Sequence, residues 1–176
     1  MPMTKSILPS DYYVLLGEIK ERIRAAQYKA LRAVNKELIA MYWDIGRSIL
    51  SRQQKGSWGK SVVEHLAKDL LTEFPGIQGF SVRNIWNMRN FYVSYHRKTK
   101  LQPLVAEIGW SHNLIIMTQC KDDLEREFYI RMTRKYGWTK DVLIHQIDNR
   151  SYEKTMTGQT NFNKTLVVLP GVKTLF

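Results

Sequence analysis

The chain has 176 residues and an ordinary globular composition, 44% hydrophobic and 24% charged, enough for a core in one domain or two small helical lobes and too apolar for wholesale disorder. Its longest apolar runs, such as Leu114-Ile115-Ile116-Met117, are too short to cross a bilayer, Met1 to Ser10 lack the pattern of a signal peptide, and one cysteine, Cys120, excludes an internal disulfide framework. Net charge is +11, and residues 81–100 hold Arg83, Arg89, Arg97, Lys98 and Lys100 with no acid, a local excess that attracts phosphate.

A reducing, cytoplasmic setting without membrane contact is the simplest expectation. Residues 1–10 read as a flexible N-terminus. The first helix is expected to start near Asp11, with Ser10 or Asp11 as N-cap, and to run toward Arg52. Leu15, Ile19, Ile23, Ala26, Ala30, Val34, Leu38, Met41, Ile45 and Ile49 recur at steps of three and four, marking one face. Gly46 alone interrupts this pattern, so it reads as one very long helix or as two joined by a bend. The apolar face either lies across the other helices or pairs with its copy in a dimer.

Gln53 to Gly59 reads as a turn. A second helix is expected from Lys60 to Phe74, with Val62, Val63, Leu66, Ala67, Leu70 and Leu71 facing inward and Pro75-Gly76 as its stop. Ser81 caps a third helix to about His96. A short helix near Leu104–Ile108 follows, then another over His112–Thr118. Asp122 to Tyr136 reads as a helix with acids early and bases late, stopped by Gly137. Thr139 caps a last helix through Ile147, and Thr165 to Leu169 fits a short strand. The fold class is all-α.

The third helix carries the functional argument. At 100° per residue, Arg83, Asn87, Asn90, Ser94 and Arg97 fall on one narrow stripe. Val82, Ile85, Trp86, Met88, Phe91, Tyr92, Val93 and Tyr95 occupy most of the remaining circumference. The helix is thus expected to be largely buried with one polar face. Asparagine is a mediocre helix former, and two on one exposed face do not serve helix stability. Arginine and asparagine suit bidentate contacts with guanine and adenine edges in the major groove. Lys60–Phe74, a turn and Ser81–His96 form a helix-turn-helix-like pair, with a longer turn than the compact motif. Arg89 falls among the apolar positions, which predicts a buried, structural arginine that pairs or hydrogen-bonds.

No other chemistry stands out. His65, His96, His112 and His145 lie far apart and none adjoins Cys120, so no zinc or other metal site and no cofactor is expected. His112 reads as a packing or capping residue. Glu18-Ile19-Lys20 matches the Glu-x-Lys fragment of metal-dependent nucleases, but on a helix positions i and i+2 diverge.

Gly79-Phe80-Ser81, Asn84-Ile85, Met88-Arg89 and Phe91-Tyr92 resemble the signature of the YhcG family's N-terminal domain. So do Trp43-Asp44-Ile45-Gly46, Trp58-Gly59, Trp110-Ser111-His112-Asn113, Phe128-Tyr129, Gly137-Trp138, Val142-Leu143 and Gln146-Ile147. The likeness runs in order from about Leu15 to Phe162. It implies a helical, helix-turn-helix-like domain of bacteria, normally fused to a C-terminal PD-(D/E)XK nuclease-like domain, that recognises or positions DNA. The tail from Val167 to Phe176 departs from the family, and no nuclease residue has a position here.

The resulting expectation is a helical domain over residues 11–155 with a divergent tail over 156–176. It binds or positions double-stranded DNA without catalytic activity of its own. Arg83, Asn87, Asn90, Ser94 and Arg97 form the contact stripe, and Lys98, Lys100 and Lys60 hold phosphates. Homodimerisation and a nuclease partner are further expectations. The alternative is an oligomerisation or protein-interaction module acting through the long first helix.

Overall fold

The computed structural model describes Pro9, residues 11–56 and residues 58–158. The strand expected at Thr165–Leu169, the Ser10 cap and nearly all of residues 1–10 lie outside them. The described residues form helices and no strand. The elements are α1 (Tyr12–Gln54), α2 (Lys60–Glu73), α3 (Val82–Tyr95), α4 (Gln102–Val105), α5 (Trp110–Gln119), α6 (Asp123–Tyr136) and α7 (Lys140–Asp148). Residues 151–158 add a further helical stretch. None of these helices is long and apolar enough to cross a membrane.

The stops and caps follow local chemistry. Ser81 Oγ accepts from the Asn84 amide at 3.2 Å, and Thr139 Oγ1 accepts from Val142. At α6, Asp122 accepts from the Glu125 amide while the Glu125 carboxylate accepts from the Lys121 amide, a reciprocal arrangement that satisfies two orphan donors. Gly137 ends α6 in the left-handed region at φ 61°, where a Cβ would be strained. The short helix sits earlier than expected, at Gln102–Val105 with Pro103 in its first turn, a position that needs no amide hydrogen. α5 starts at Trp110 because Gly109 is its N-cap.

The first helix is one unbroken element of 43 residues. Gly46 is not a bend. It is buried where α3 crosses α1, and a Cβ there would overlap the Met88 carbonyl, lying 2.7 Å from its carbon. Only the C-terminal half of α1 joins the core, through Ile39, Tyr42, Gly46 and Ile49. The rest of the expected inward face, Leu15 to Val34, is exposed.

The main core gathers Ile39, Phe91, Tyr95, Leu101, Val105, Ile116, Tyr129, Ile130 and Leu143. A second cluster joins Ile49, Val63, Ala67 and Ile85, so α2 packs on α3 and α1 together. Leu71 faces solvent, because Val63 and Ala67 already fill the contact line of α2. Val93 is also more open than expected. Cys120 is buried, and burial pushes its thiol up to about 12, which suits packing rather than reactivity.

One ion cluster ties α1 to the later helices. Glu107, its side chain 14% exposed, pairs with Lys36 Nζ at 2.9 Å, with Arg134 Nε at 3.4 Å and with Arg32. The Lys36 hydrogen bond holds its carboxyl below the ordinary value of 4.5, with Arg134 and Arg32 adding to the effect and burial opposing it. A lowered folded-state value gives stability that is present above the unfolded value and lost as pH falls through the folded one. Glu107→Gln is therefore expected to cost about 1–2 kcal/mol at neutral pH. Melting curves from pH 7 down to pH 3 check this. The difference between parent and variant closes below the ordinary carboxylate range, and a constant difference would contradict the assignment.

Candidate nucleic-acid interface

α3 is fixed on its apolar side and at both ends, and it displays the remaining side. Ile85, Met88, Phe91 and Tyr95 are fully buried at steps of three and four. At the N-terminus Asn84 Nδ2 donates to the Gly79 carbonyl at 2.6 Å, and Asn84 Oδ1 accepts from the Trp110 indole at 2.8 Å. The Tyr42 hydroxyl shares a hydrogen bond with Asn84. Burial raises the Tyr42 phenol above its ordinary value, and the Asn84 bond works the other way. Gly79 has φ 108°, and a Cβ there would overlap the Tyr42 hydroxyl. At the C-terminus Gln102 Nε2 donates to the carbonyls of Tyr95 at 3.1 Å and His96 at 2.8 Å.

The expected stripe emerges on the open side. Arg83, Asn90 and Arg97 are exposed, while Asn87 and Ser94 are half-buried. Among the described residues Arg83, Asn87, Ser94, Arg97 and Lys100 make no side-chain hydrogen bond or ion pair with the rest of the protein. Arg83 and Asn87 line a concavity of about 470 Å³ beside the start of α3, with Gln78, Ser81, Asn84 and Trp110.

The basic residues around the stripe differ in their freedom. Lys98 pairs with Asp123, so its charge is already partly matched. Lys60 lies 3.8 Å from Glu64, with an 81% exposed side chain, and a pair that open is weak.

Arg89 hydrogen-bonds as expected but is more open than expected. It is half-buried and has no carboxylate partner. Its Nε donates to Gln53 Oε1 and its Nη1 to Asn90 Oδ1, both at 3.1 Å. It reaches the edge of the α1–α3 contact, where neutral acceptors suffice because solvent still reaches the guanidinium. Arg89 thus belongs to the polar surface and props up Asn90.

The histidine and asparagine of Trp110-Ser111-His112-Asn113 serve the backbone. His112 Nε2 lies 2.9 Å from the Trp138 carbonyl oxygen. The buried Asn113 Nδ2 donates to the carbonyls of Val105, Ile108 and Gly109. Among the described residues no group of three or more His, Cys, Asp or Glu side chains is placed to hold a metal ion.

Residues 18–154 match the family described as the DUF1016 N-terminal domain. The chain belongs to that family. The match takes in α1 from Glu18 through α7, and the resemblance to the YhcG N-terminal domain holds. The curated protein "Putative nuclease YhcG" of Escherichia coli (strain K12) is 25% identical over 179 residues, covering 84% of this chain and 47% of that protein. The chain therefore spans about half the length of this relative. No solved structure matches. In this member of the family the residues that carry the resemblance divide in two. Trp43, Gly46, Asn84, Trp110 and Asn113 hold the fold together, while Arg89 reaches the surface.

Proposed function

We propose that the chain is a DNA-binding module that positions double-stranded DNA for a nuclease, with α3 as the contact helix and no catalysis of its own. The observation that carries the reading is the set of basic and amide side chains along the open side of α3 that have no partner within the protein. Exposed arginines elsewhere, such as Arg47 and Arg131, pair within their own helix. Arg83 and Arg97 do not, so their donors are free for phosphates or base edges. α2 supports α3 as a buttress in a helix-turn-helix-like pair, and Lys100, Lys60 and Lys98 flank it as phosphate contacts, the last in competition with Asp123. The nuclease connection rests on the likeness to the Escherichia coli protein, whose name describes it as one.

Alanine substitutions separate this reading from ordinary surface polarity. Arg83→Ala, Asn87→Ala, Asn90→Ala and Arg97→Ala are expected to weaken binding of a labelled duplex with melting nearly unchanged, since Arg83, Asn90 and Arg97 are exposed and the half-buried Asn87 side chain makes no bond within the protein, and surface substitutions cost within about 0.5 kcal/mol. Arginine losses flatten the salt dependence, and asparagine losses blur any sequence preference. Fluorescence anisotropy and melting on each variant are the check. Variants that bind like the parent would show the stripe to be solvated surface only.

A further inference from the structure

The first turns of α1 project away from the core, and the helix meets the later helices only from about Tyr28 and Arg32 onward. From residue 11 to residue 31 every position except Leu16 is exposed. Ile19, Ile23, Tyr28 and Leu31 are 44%, 51%, 62% and 70% exposed. This arm is about 30 Å of helix at 1.5 Å per residue, and most of a helix's stability in a protein comes from packing an amphipathic face. Its apolar positions Leu16, Ile19, Ile23, Ala26, Ala30 and Val34 form one seam along the helix.

Followed toward the C-terminus, the same seam runs on through Glu37, Met41, Asp44 and Ser48. These residues form one wall of a groove of about 820 Å³ whose far wall includes Leu66 and Leu70 of α2 and Phe74 just past its end. An unpartnered apolar stripe and a largely apolar groove therefore lie end to end on one face of one helix.

We propose that the groove is the seat for the arm of a second copy of this chain. Two α1 helices run antiparallel about a twofold axis near the middle of α1, each arm lying in the partner's groove. A twofold contact requires one continuous surface to supply both halves, and the aligned seam and groove do so. Ala26, Ala30 and Ala33 near the crossing leave room for close approach of the two backbones.

Charge selects this arrangement over a parallel pairing of the two arms. Lys20, Arg22 and Lys29 flank the arm's seam, and in a parallel pair these bases would flank the interface from both helices and repel. In the antiparallel arrangement they run toward Glu37 and Asp44 on the groove wall. The inference is independent of the DNA reading, since it uses none of the α3 stripe.

Light scattering on the 176-residue chain at tens of micromolar, a working range for weak self-association, tests the proposal. The parent is expected at twice the chain mass. Ile19→Glu with Ile23→Glu removes the arm's stripe, and Met41→Arg sets a like charge in the groove. Each variant is expected at the single-chain mass, still cooperatively folded, with a melting point that no longer rises with protein concentration as the parent's does. Glu37→Lys with Asp44→Lys also breaks the dimer, and Lys20→Glu, Arg22→Glu and Lys29→Glu added to it restore the double mass. A parent at the single-chain mass overturns the dimer. A Met41→Arg protein that dimerises like the parent overturns the groove as the seat, because arms paired with each other would not touch it.

Discussion

Gly46→Val is expected to be the most destabilising single change in the described core. The Cβ of any residue at this position meets the Met88 main chain, not a side chain that can rotate away. Relief requires α1 and α3 to separate, and the contact they share seats Ile85, Met88 and Phe91. Overpacking a core costs typically about 1–3 kcal/mol, and backbone against backbone puts this case at or above the upper end. A domain of this size loses about 2–4 °C of melting temperature per kcal/mol, so a fall of about 10 °C is expected. Gly17 provides the control in the same helix. Nothing lies within 4 Å of a Cβ there, and Gly17→Ala should gain about 0.5–1 kcal/mol from helix propensity. A Gly46→Val protein that melts within two or so degrees of the parent, about the shift expected from under 1 kcal/mol, would show that the helices cross less closely than described.

The second large effect is expected at Asn84. Its removal leaves the Trp110 indole without an acceptor and the Gly79 carbonyl without its donor. Each unsatisfied buried or half-buried group costs about 1–3 kcal/mol, which puts Asn84→Ala at about 2–4 kcal/mol. Three residues along the same helix, Asn87→Ala should leave the melting point in place and weaken DNA binding instead. Asn84→Asp sharpens the comparison, because it keeps the acceptor for Trp110 and loses the donor for Gly79. Thermal melts on the three variants decide the matter. Equal melting of Asn84→Ala and Asn87→Ala would show that the Asn84 hydrogen bonds carry no stability.

The contrast between these two asparagines marks where the sequence stops being informative. Signals that act within a helical turn are read directly: Ser81 and Thr139 as caps, Gly137 as a stop, and the stripe from Arg83 to Arg97 by its spacing. Contacts between distant segments are not. Asn84 bonds to Trp110, 26 positions away, and Glu107 gathers a base from α1 75 positions away. Nothing in their local context distinguishes them from surface residues. Gly46 reads as a possible hinge because glycine weakens a helix, whereas its buried place under α3 depends on how two helices cross. Arg89 sits at an apolar position by projection alone. It still reaches solvent, because α1 leaves an open edge near Gln53. Periodicity marks Leu15 to Val34 as one apolar face, but it does not show that the core ends before that face begins.

The salt dependence of duplex binding tests the central claim most directly. Anisotropy of a labelled mixed-sequence duplex, titrated with the 176-residue chain from low to physiological salt, measures it. The expected result is binding at low salt that falls steeply and linearly on a log–log scale, with a slope of about 0.9 per phosphate contacted. Arg83→Ala with Arg97→Ala should lower that slope by about one per arginine that meets a phosphate. No binding at low salt, or a slope that the double variant leaves unchanged, would contradict the assignment of α3 as the DNA-contacting helix.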